Sequence, residues 1–341
     1  MDEPPRTRII PEIDFDKDGL QRGFLRLFHS VHASAYGFIP IPIVVVKNGS
    51  GPTAMFMSGN HGDEYEGQVA LCNLVKWLTP AKIRGRVILL PAANFPAAMA
   101  GRRVSPIDDA NLNRSFPGNP DGTVTQQIAW YIEHELIARA DLLCDLHSGG
   151  SSLVYLPSAL VRRSTDPPQM QKLLAALQTF GAPDAYITLG AQGGDATATG
   201  AAERQGVLAI GTELGGSGTL TPAALAIAER GVRNLLVHLG ILPASERLEP
   251  PGPTRLFEVG GPDYFTYASE NGVFEPLAEI GEKVRAGQPA ARIHFPETPW
   301  APPAELRFQR DGLVLCKRIP GRTARGDCLF HLGTESSTAL A

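Results

Sequence analysis

The fold class of this 341-residue chain is decided by one stretch, Ala54-Met55-Phe56-Met57-Ser58-Gly59-Asn60-His61-Gly62-Asp63-Glu64. Its apolar first part predicts a short buried strand, which the polar Ser58-Gly59-Asn60 then ends as a loop. His61 and Glu64 follow at the point where strand gives way to helix. A neutral imidazole and a carboxylate three positions apart can bind one divalent metal ion from a single turn of backbone. The stretch therefore predicts a metal site at the end of a strand.

A third metal ligand is predicted at His147, which also follows an apolar run, Leu143-Cys144-Asp145-Leu146. Sites in α/β sheets lie outside the carboxyl ends of the strands, so the two stretches are expected to meet there. Two histidines and one glutamate with an open fourth position are typical of hydrolytic zinc sites. The HxxE spacing is short and also occurs by chance, so an arrangement without metal stays open at this point.

The remaining apolar runs predict an α/β fold with a mostly parallel mixed sheet flanked by helices. Two segments, 94–120 and 190–200, are predicted to be loops, and the first is expected to be functional because it is long and rich in Arg and Asn. Residues 1–30 are expected to be largely irregular, with a strand beginning near Phe24. The other strands are predicted at 41–46, 53–58, 86–91, 141–146, 153–156, 185–189 and 207–213. Helices are predicted at 64–78, 126–139, 167–180 and 221–239.

The chain is long enough for a large domain and a smaller one. A proline-rich segment at 243–253 has the composition of a linker. Beyond it the apolar runs are short and turns are frequent, which favours β structure. We therefore expect an α/β domain over 1–243 and a β-rich domain over 250–341 that shapes or covers the site.

Composition narrows the possible partners. Hydrophobic residues make up 43% of the chain and charged residues 19%, as in a soluble enzyme with a large core. The net charge is −4 with no basic block, which argues against nucleic acid and against a membrane surface as partners. No apolar run reaches membrane-span length, and the acidic N-terminus lacks a signal-peptide core. The scattered cysteines Cys72, Cys144, Cys316 and Cys328 favour reduced thiols and a cytoplasmic location. An oligomer is possible, and nothing in the sequence specifies one.

Four separated motifs stand out along the chain: Gly59-Asn60-His61-Gly62-Asp63-Glu64, Asn111-Leu112-Asn113-Arg114-Ser115-Phe116-Pro117-Gly118, Asp145-Leu146-His147 and Gly211-Thr212-Glu213-Leu214-Gly215-Gly216. Their order and spacing resemble the succinylglutamate desuccinylase/aspartoacylase family, whose members are relatives of the zinc carboxypeptidases. The similarity spans about residues 50–240, and the following β-rich segment also fits the plan of the family. More narrowly, the chain resembles the branch that removes an acetyl group from N-α-acetyl-L-2,4-diaminobutyrate in ectoine breakdown.

The resemblance implies a role for each matching residue. It implies one Zn²⁺ ion per chain, a small N-acyl amino acid as substrate, and Glu213 as general base and proton shuttle. Arg103 would polarise the scissile carbonyl, although the sequence leaves open whether Arg102 or Arg103 faces the metal. The zinc ligands would be His61, Glu64 and His147, and the substrate α-carboxylate would be bound by Asn113 and Arg114.

Each role has a structural alternative. Glu213 can be a strand-end carboxylate that accepts a backbone N–H, and Arg103 can be a solvated cation in a loop. Asn113 can stabilise a turn through its own side chain. The functional roles are favoured by the chemistry of the side chains. A carboxylate such as that of Glu213 can move the proton of a water molecule, and the planar guanidinium of Arg114 can bind a carboxylate with two hydrogen bonds.

The first functional hypothesis is therefore metal-dependent hydrolysis of a small N-acyl amino acid, with acetyl as the expected acyl group. The alternatives are a desuccinylase or aspartoacylase for an acidic substrate, a metallocarboxypeptidase, and a binding protein that has lost catalysis. An acidic substrate needs another cation, for which Arg162 and Arg163 are candidates. A side-chain amine needs an acidic or hydroxyl partner, for which Asp195 is a candidate.

Overall fold

The computed structural model describes residues 7–189 and 194–336. Most of the strands form one large mixed sheet, in the order β1-β2-β3-β5-β4-β6-β10-β8-β9-β11-β19-β17-β14, with β12 paired to β19 and β7 to β17. The strands are β1 (Ile9–Pro11), β2 (Gly19–Phe28), β3 (Phe38–Asn48), β4 (Thr53–Ser58), β5 (Gly85–Leu90), β6 (Leu142–Leu146), β7 (Leu153–Tyr155), β8 (Ser158–Arg162), β9 (Asp184–Thr188), β10 (Leu208–Glu213), β11 (Arg255–Val259), β12 (Phe265–Tyr267), β13 (Gly272–Pro276), β14 (Lys283–Val284), β15 (Pro289–His294), β16 (Ala304–Arg307), β17 (Gly312–Arg318), β18 (Arg322–Thr323) and β19 (Cys328–Glu335).

The middle of the large sheet is parallel. β4 lies between β5 and β6 and is parallel to both, and β10 is parallel to β6. β4 is apolar along most of its length and fully buried, as expected for a parallel strand that is covered on both faces. The carboxyl ends of β4, β6 and β10 therefore meet at one edge of the sheet, which confirms the predicted fold class.

Helices cover both faces of this sheet. The helices are α1 (Glu66–Trp77), α2 (Phe95–Ala100), α3 (Val124–Tyr131), α4 (Pro167–Phe180), α5 (Ala198–Arg204) and α6 (Pro222–His238). One hydrophobic cluster joins α1, α4 and α6 to the sheet, and a second joins α3 and α5 to its other face. No helix within the described ranges is long and apolar enough to cross a membrane.

The C-terminal region has a core of its own. β16, β15, β13 and β18 form a separate antiparallel sheet, and a third hydrophobic cluster is built mainly from residues beyond 250. The large sheet nevertheless continues into this region, because β11 is parallel to β9 and antiparallel to β19. This continuity brings side chains of the C-terminal strands beside the ends of the central ones.

Some predictions of local structure were wrong. The segment 94–120 holds α2 and a 3₁₀ turn at Leu112–Arg114, and α5 begins within the segment expected to be a glycine-rich loop. Residues 190–193 of that loop lie outside the described residues. The N-terminal segment contains β1 and β2, and β8 was not predicted. Apart from the ten-residue strand β2, these elements are short, and they gain their stability from tertiary contacts that local periodicity does not reveal.

Candidate active site

The loop after β4 depends on two glycines. Gly59 has a φ of +64°, a backbone conformation that favours glycine. A Cβ atom on Gly62 would lie 2.0 Å from the carbonyl oxygen of Ala97 in α2, so only glycine fits against that helix. The backbone N–H of Gly62 also donates to the carbonyl of Arg102 at 2.9 Å. The loop is therefore fixed from both sides, with His61 held beside the sheet edge.

The carboxylate of Glu64, two residues before the start of α1, lies between two imidazoles. Oε1 of Glu64 lies 2.7 Å from Nδ1 of His61, and Oε2 lies 2.8 Å from Nδ1 of His147. The backbone N–H of Ser148 donates to the same Oε2 at 3.1 Å. Possible ligand atoms of the three residues all lie within 4.8 Å of one another. The structure thus brings together the three side chains predicted to bind a metal.

The outer nitrogens of both imidazoles are held by other side chains. Nε2 of His147 lies 2.8 Å from Oδ2 of Asp145, and Nε2 of His61 lies 3.1 Å from Oδ1 of Asn111. Asn60 donates to Asp145 at 3.1 Å. Such partners fix the orientation of metal-binding histidines and raise their basicity. The sequence analysis did not assign these roles, although Asp145 and Asn111 both lie within its motifs.

The protonation states fit a metal site. Burial alone would raise the pKa of Glu64, but the two imidazoles outweigh it and hold that pKa well below its usual value. Burial lowers the pKa of His61. Burial would also lower the pKa of His147, but the carboxylates of Asp145 and Glu64 raise it well above its usual value. Metal binding would displace that proton from His147, which is the ordinary coupling between metal affinity and pH.

Glu213 ends β10, beside β6, and lines the same cavity as the three clustered side chains. Its Oε2 atom is buried and has no hydrogen-bond partner among the described residues. Burial, followed by the negative charge of Glu64, raises the pKa of Glu213 to about 8. The observed geometry is that of a group available for proton transfer.

The two neighbouring arginines face different ways. Nη1 of Arg103 lies 3.3 Å from Nδ1 of His61 and 3.5 Å from Oε1 of Glu64. Arg102 instead lies near Asp109, at 3.7 Å, and is absent from the cavity lining. The structure thus places Arg103, and not Arg102, beside the cluster.

Asn113 and Arg114 also line the cavity. Asn113 accepts the backbone N–H of Ala198 at 2.9 Å, and its Nδ2 lies 3.3 Å from Nε2 of His147. Arg114 donates to the carbonyl of Asn113 at 2.7 Å. Among the described residues, no carboxylate forms an ion pair with Arg114, so its positive charge is available to an anionic ligand.

The cavity has a volume of about 260 Å³, and part of its lining is aromatic. Four lining side chains, which we call the aromatic wall, pack together through ring contacts with His331: Tyr155, Tyr186, Phe265 and His331 itself. Phe265 and His331 come from the C-terminal region, which therefore helps to shape the cavity. The sequence analysis named none of the four, because no local pattern marks a strand residue that reaches a site through long-range pairing.

Three candidates for recognising the substrate side chain lie elsewhere. Arg162 pairs with Asp195 at 3.3 Å and with Glu203 at 3.0 Å. Arg163 pairs with Glu258 at 3.0 Å. Neither arginine lines the cavity, and neither does Asp195, so the structure gives no support to these assignments.

Comparison with known proteins identifies the family. Residues 50–239, more than half of the chain, match the model of the succinylglutamate desuccinylase/aspartoacylase catalytic domain. The chain belongs to this family. As a member of the succinylglutamate desuccinylase/aspartoacylase family it is a hydrolase of amide bonds, which confirms the resemblance drawn from its motifs.

Relatives within the family match along almost the whole chain. The N-alpha-acetyl-L-2,4-diaminobutyric acid deacetylase of Halomonas elongata is 42% identical over 330 residues, or 96% of each chain. The product-bound ectoine utilization protein EutE (DoeB) of Ruegeria pomeroyi is 40% identical with a TM-score of 0.93, over 97% of this chain and 99% of that one. A succinylglutamate desuccinylase/aspartoacylase from Rhodobacter sphaeroides is 40% identical with a TM-score of 0.91, over 97% and 100%.

Proposed function

We propose that this protein is a zinc-dependent deacetylase that converts N-α-acetyl-L-2,4-diaminobutyrate to diaminobutyrate and acetate in ectoine breakdown. The observation that carries the proposal is the 42% identity to the Halomonas elongata deacetylase over 96% of both chains. The similarity to the ectoine utilization protein EutE (DoeB) supports the same substrate, with 40% identity over 97% of this chain and 99% of that chain.

His61, Glu64 and His147 are the proposed zinc ligands. Two imidazoles and one carboxylate form a donor set that suits Zn²⁺, and their converging Nδ1 and carboxylate atoms can surround one ion. A bound zinc ion supplies Lewis acidity, which makes a water molecule a better nucleophile at neutral pH and polarises the amide carbonyl. Asp145 and Asn111 hold the outer nitrogens of the two histidines.

Glu213 is the proposed proton shuttle. Its carboxylate takes a proton from the attacking water molecule and returns it to the departing amine. Both transfers need a group whose pKa lies near the working pH, and burial raises the pKa of Glu213 to about 8. A bound dication would bring that value down, because a nearby positive charge favours the carboxylate form.

Arg103 is proposed to stabilise negative charge on the carbonyl oxygen as the amide is attacked. Its guanidinium lies beside His61 and Glu64, so it reaches the position at which a carbonyl would be activated. Donors placed where charge develops contribute more to rate than to ground-state binding. Asn113 and Arg114 are proposed to bind the substrate α-carboxylate, since Arg114 has no ion-pair partner among the described residues.

The alternative of an acidic substrate is less well supported. Arg103 and Arg114 are the only Arg or Lys side chains among the described residues that line the cavity, and both already have proposed roles. A second carboxylate on the substrate would have no cation of its own. The metallocarboxypeptidase alternative is less well supported because the deacetylase and the ectoine utilization protein match along almost the whole chain.

The division into domains and the cellular location are also proposals. We propose that residues 1–243 form the catalytic α/β domain and that residues 250–341 form a second domain that completes the cavity. We further propose a cytoplasmic location, with which the free thiols of all four cysteines agree.

The substrate is tested by measuring acetate release from N-α-acetyl-L-2,4-diaminobutyrate and from N-acetyl-L-aspartate by zinc-loaded protein. We expect turnover of the diaminobutyrate compound with a strong preference over the aspartate compound. Preference for N-acetyl-L-aspartate would contradict the proposal and would favour the acidic-substrate branch of the family.

A further inference from the structure

One member of the aromatic wall is a buried histidine without a hydrogen-bond partner. His331 lies on β19, where its strand neighbours are Phe265 on β12 and Cys316 on β17. It is only 5% exposed, and neither ring nitrogen has a partner among the described residues. Buried polar groups are normally paired, and leaving one unpaired costs free energy. Because His331 lines the cavity, a ligand bound there can supply the missing partner.

The ring of His331 is fixed by its aromatic neighbours. It stacks on Phe265 with centroids 4.6 Å apart and an angle of 4° between the planes. Tyr155 and Tyr186 meet it edge to face, at centroid distances of 6.0 and 5.8 Å. These contacts leave little freedom for the imidazole to turn. The orientation of His331 is thus fixed before a ligand binds, as expected of a residue that recognises a ligand.

Three polar groups of the proposed substrate need partners in the cavity. The α-carboxylate is assigned to Asn113 and Arg114, and the acetyl carbonyl to the metal and Arg103. The side-chain amine remains. Besides Glu213, three described residues of the cavity lining keep a buried polar side-chain atom without a hydrogen-bond partner: Asp145, Ser148 and His331. Asp145 contacts the proposed ligand His147, and the backbone of Ser148 contacts the proposed ligand Glu64, so both lie at the proposed metal site. His331 lies in the aromatic wall and offers its acceptor to another part of the substrate.

The surroundings of His331 also suit a cation. Glu213 lines the same cavity as the aromatic wall, so its carboxylate form places a negative charge in that cavity. Aromatic side chains attract ammonium groups, most strongly where water is excluded. Burial lowers the pKa of His331 to about 4, so its imidazole is neutral at pH 7 and does not repel an ammonium group.

We propose that His331 is a specificity-determining residue whose neutral imidazole accepts a hydrogen bond from the side-chain amine of the substrate. This inference rests on the proposed function and deepens it, because it assigns the recognition of the γ-amine to the C-terminal region. A neutral imidazole has one acceptor nitrogen and one N–H donor. The acceptor nitrogen faces the amine, and the aromatic wall encloses the carbon chain.

The test compares two substrates that differ only in the amine, N-α-acetyl-L-2,4-diaminobutyrate and N-acetyl-L-2-aminobutyrate. H331F removes both nitrogens and keeps a stacked aromatic ring, whereas H331Q keeps a neutral acceptor. For H331F we expect kcat/KM for the diaminobutyrate compound to fall about 10- to 100-fold, mainly through KM, because a hydrogen bond to a charged group is lost. The kcat/KM for N-acetyl-L-2-aminobutyrate is expected to stay within about threefold of that of the unmodified protein, and H331Q to recover part of the preference.

The outcomes separate this inference from the proposed function. Turnover of the diaminobutyrate compound by the unmodified protein, with an unchanged substrate ratio in H331F, would overturn the inference alone. An equal loss for both substrates in H331F and H331Q would indicate a purely structural role and would also overturn it. Failure of the unmodified, zinc-loaded protein to hydrolyse the diaminobutyrate compound would overturn both proposals.

Discussion

Nε2 of His147 lies 2.8 Å from Oδ2 of Asp145, two residues earlier in the same strand end. This contact turns Nδ1 of His147 towards Glu64, which it meets at 2.8 Å. The carboxylate thus sets both the orientation and the basicity of the imidazole, as outer partners of metal-binding histidines do. Asp145 lies in β6 and is itself held by Asn60 from the loop after β4, so side chains from two neighbouring segments support the proposed metal site.

The first prediction concerns the contact of Asp145 with His147. D145N keeps the shape of the side chain but removes its charge, so we expect zinc affinity to fall about 10- to 100-fold. The measurement is competition for zinc with a chelator of known affinity. D141N is the matched control, because Asp141 lies at the opposite end of β6 and accepts the backbone N–H of Thr53. Equal zinc affinities for D145N and D141N would contradict the assigned role.

The second prediction concerns Glu213. E213Q is expected to lower kcat by about 10²- to 10⁴-fold, because the amide cannot take the proton of the attacking water molecule. Zinc content should stay at one ion per chain, since Glu213 is not a proposed ligand. E203Q serves as a control, because Glu203 pairs with Arg162 outside the cavity. Full activity in E213Q would exclude Glu213 as the proton shuttle.

The third prediction uses the adjacent arginines as a matched pair. R103Q is expected to lower kcat by about 10²-fold, because the developing charge on the carbonyl oxygen loses a donor. R102Q should leave kcat almost unchanged, since Arg102 lies near Asp109 and away from the cavity. Steady-state kinetics on both variants decides the assignment, and a larger effect in R102Q would reverse it.

The fourth prediction concerns stability and pH. The pKa of His331 falls from 6.5 to about 4 on burial, and its packed neighbours Tyr155 and Tyr186 stay neutral because burial raises their pKa values well above normal. Between about pH 4 and about pH 6.5, the unfolded chain binds more protons at His331 than the folded chain does. The free energy of unfolding therefore falls as the pH falls. Going from about pH 7.5 to about pH 5 should cost about 2 kcal/mol through His331 alone.

This pH effect is measured by urea unfolding of the unmodified protein and of H331F at both pH values. The other titrating groups are common to the two proteins, so their contributions cancel in the comparison. H331F should lose less stability than the unmodified protein on acidification. Identical losses would show that the imidazole is not buried in its neutral form.

The fold class and the proposed ligands could be predicted because their signals are local. A buried apolar run followed by His61-Gly62-Asp63-Glu64 marks the end of a strand, and the same holds for His147. Parallel strands then bring their carboxyl ends together. The family resemblance added Arg103, Asn113, Arg114 and Glu213, all of which line the cavity.

The aromatic wall could not be predicted in the same way. His331 reaches the cavity because β19 pairs with both β12 and β17, and β11 joins the C-terminal strands to the large sheet. Such pairings depend on tertiary contacts between segments far apart in the chain. The periodicity of the surrounding residues does not predict them. For the same reason, Asp195 was considered as a partner for the amine although it pairs with Arg162.

The central claim is that His61, Glu64 and His147 hold a zinc ion on which deacetylation depends. The most direct measurement is acetate release from N-α-acetyl-L-2,4-diaminobutyrate by zinc-loaded protein, by chelator-treated protein, and by treated protein after zinc is restored. We predict one zinc per chain, loss of activity on chelation, and recovery when zinc is returned. Undiminished activity in protein shown to be free of metal would contradict the claim.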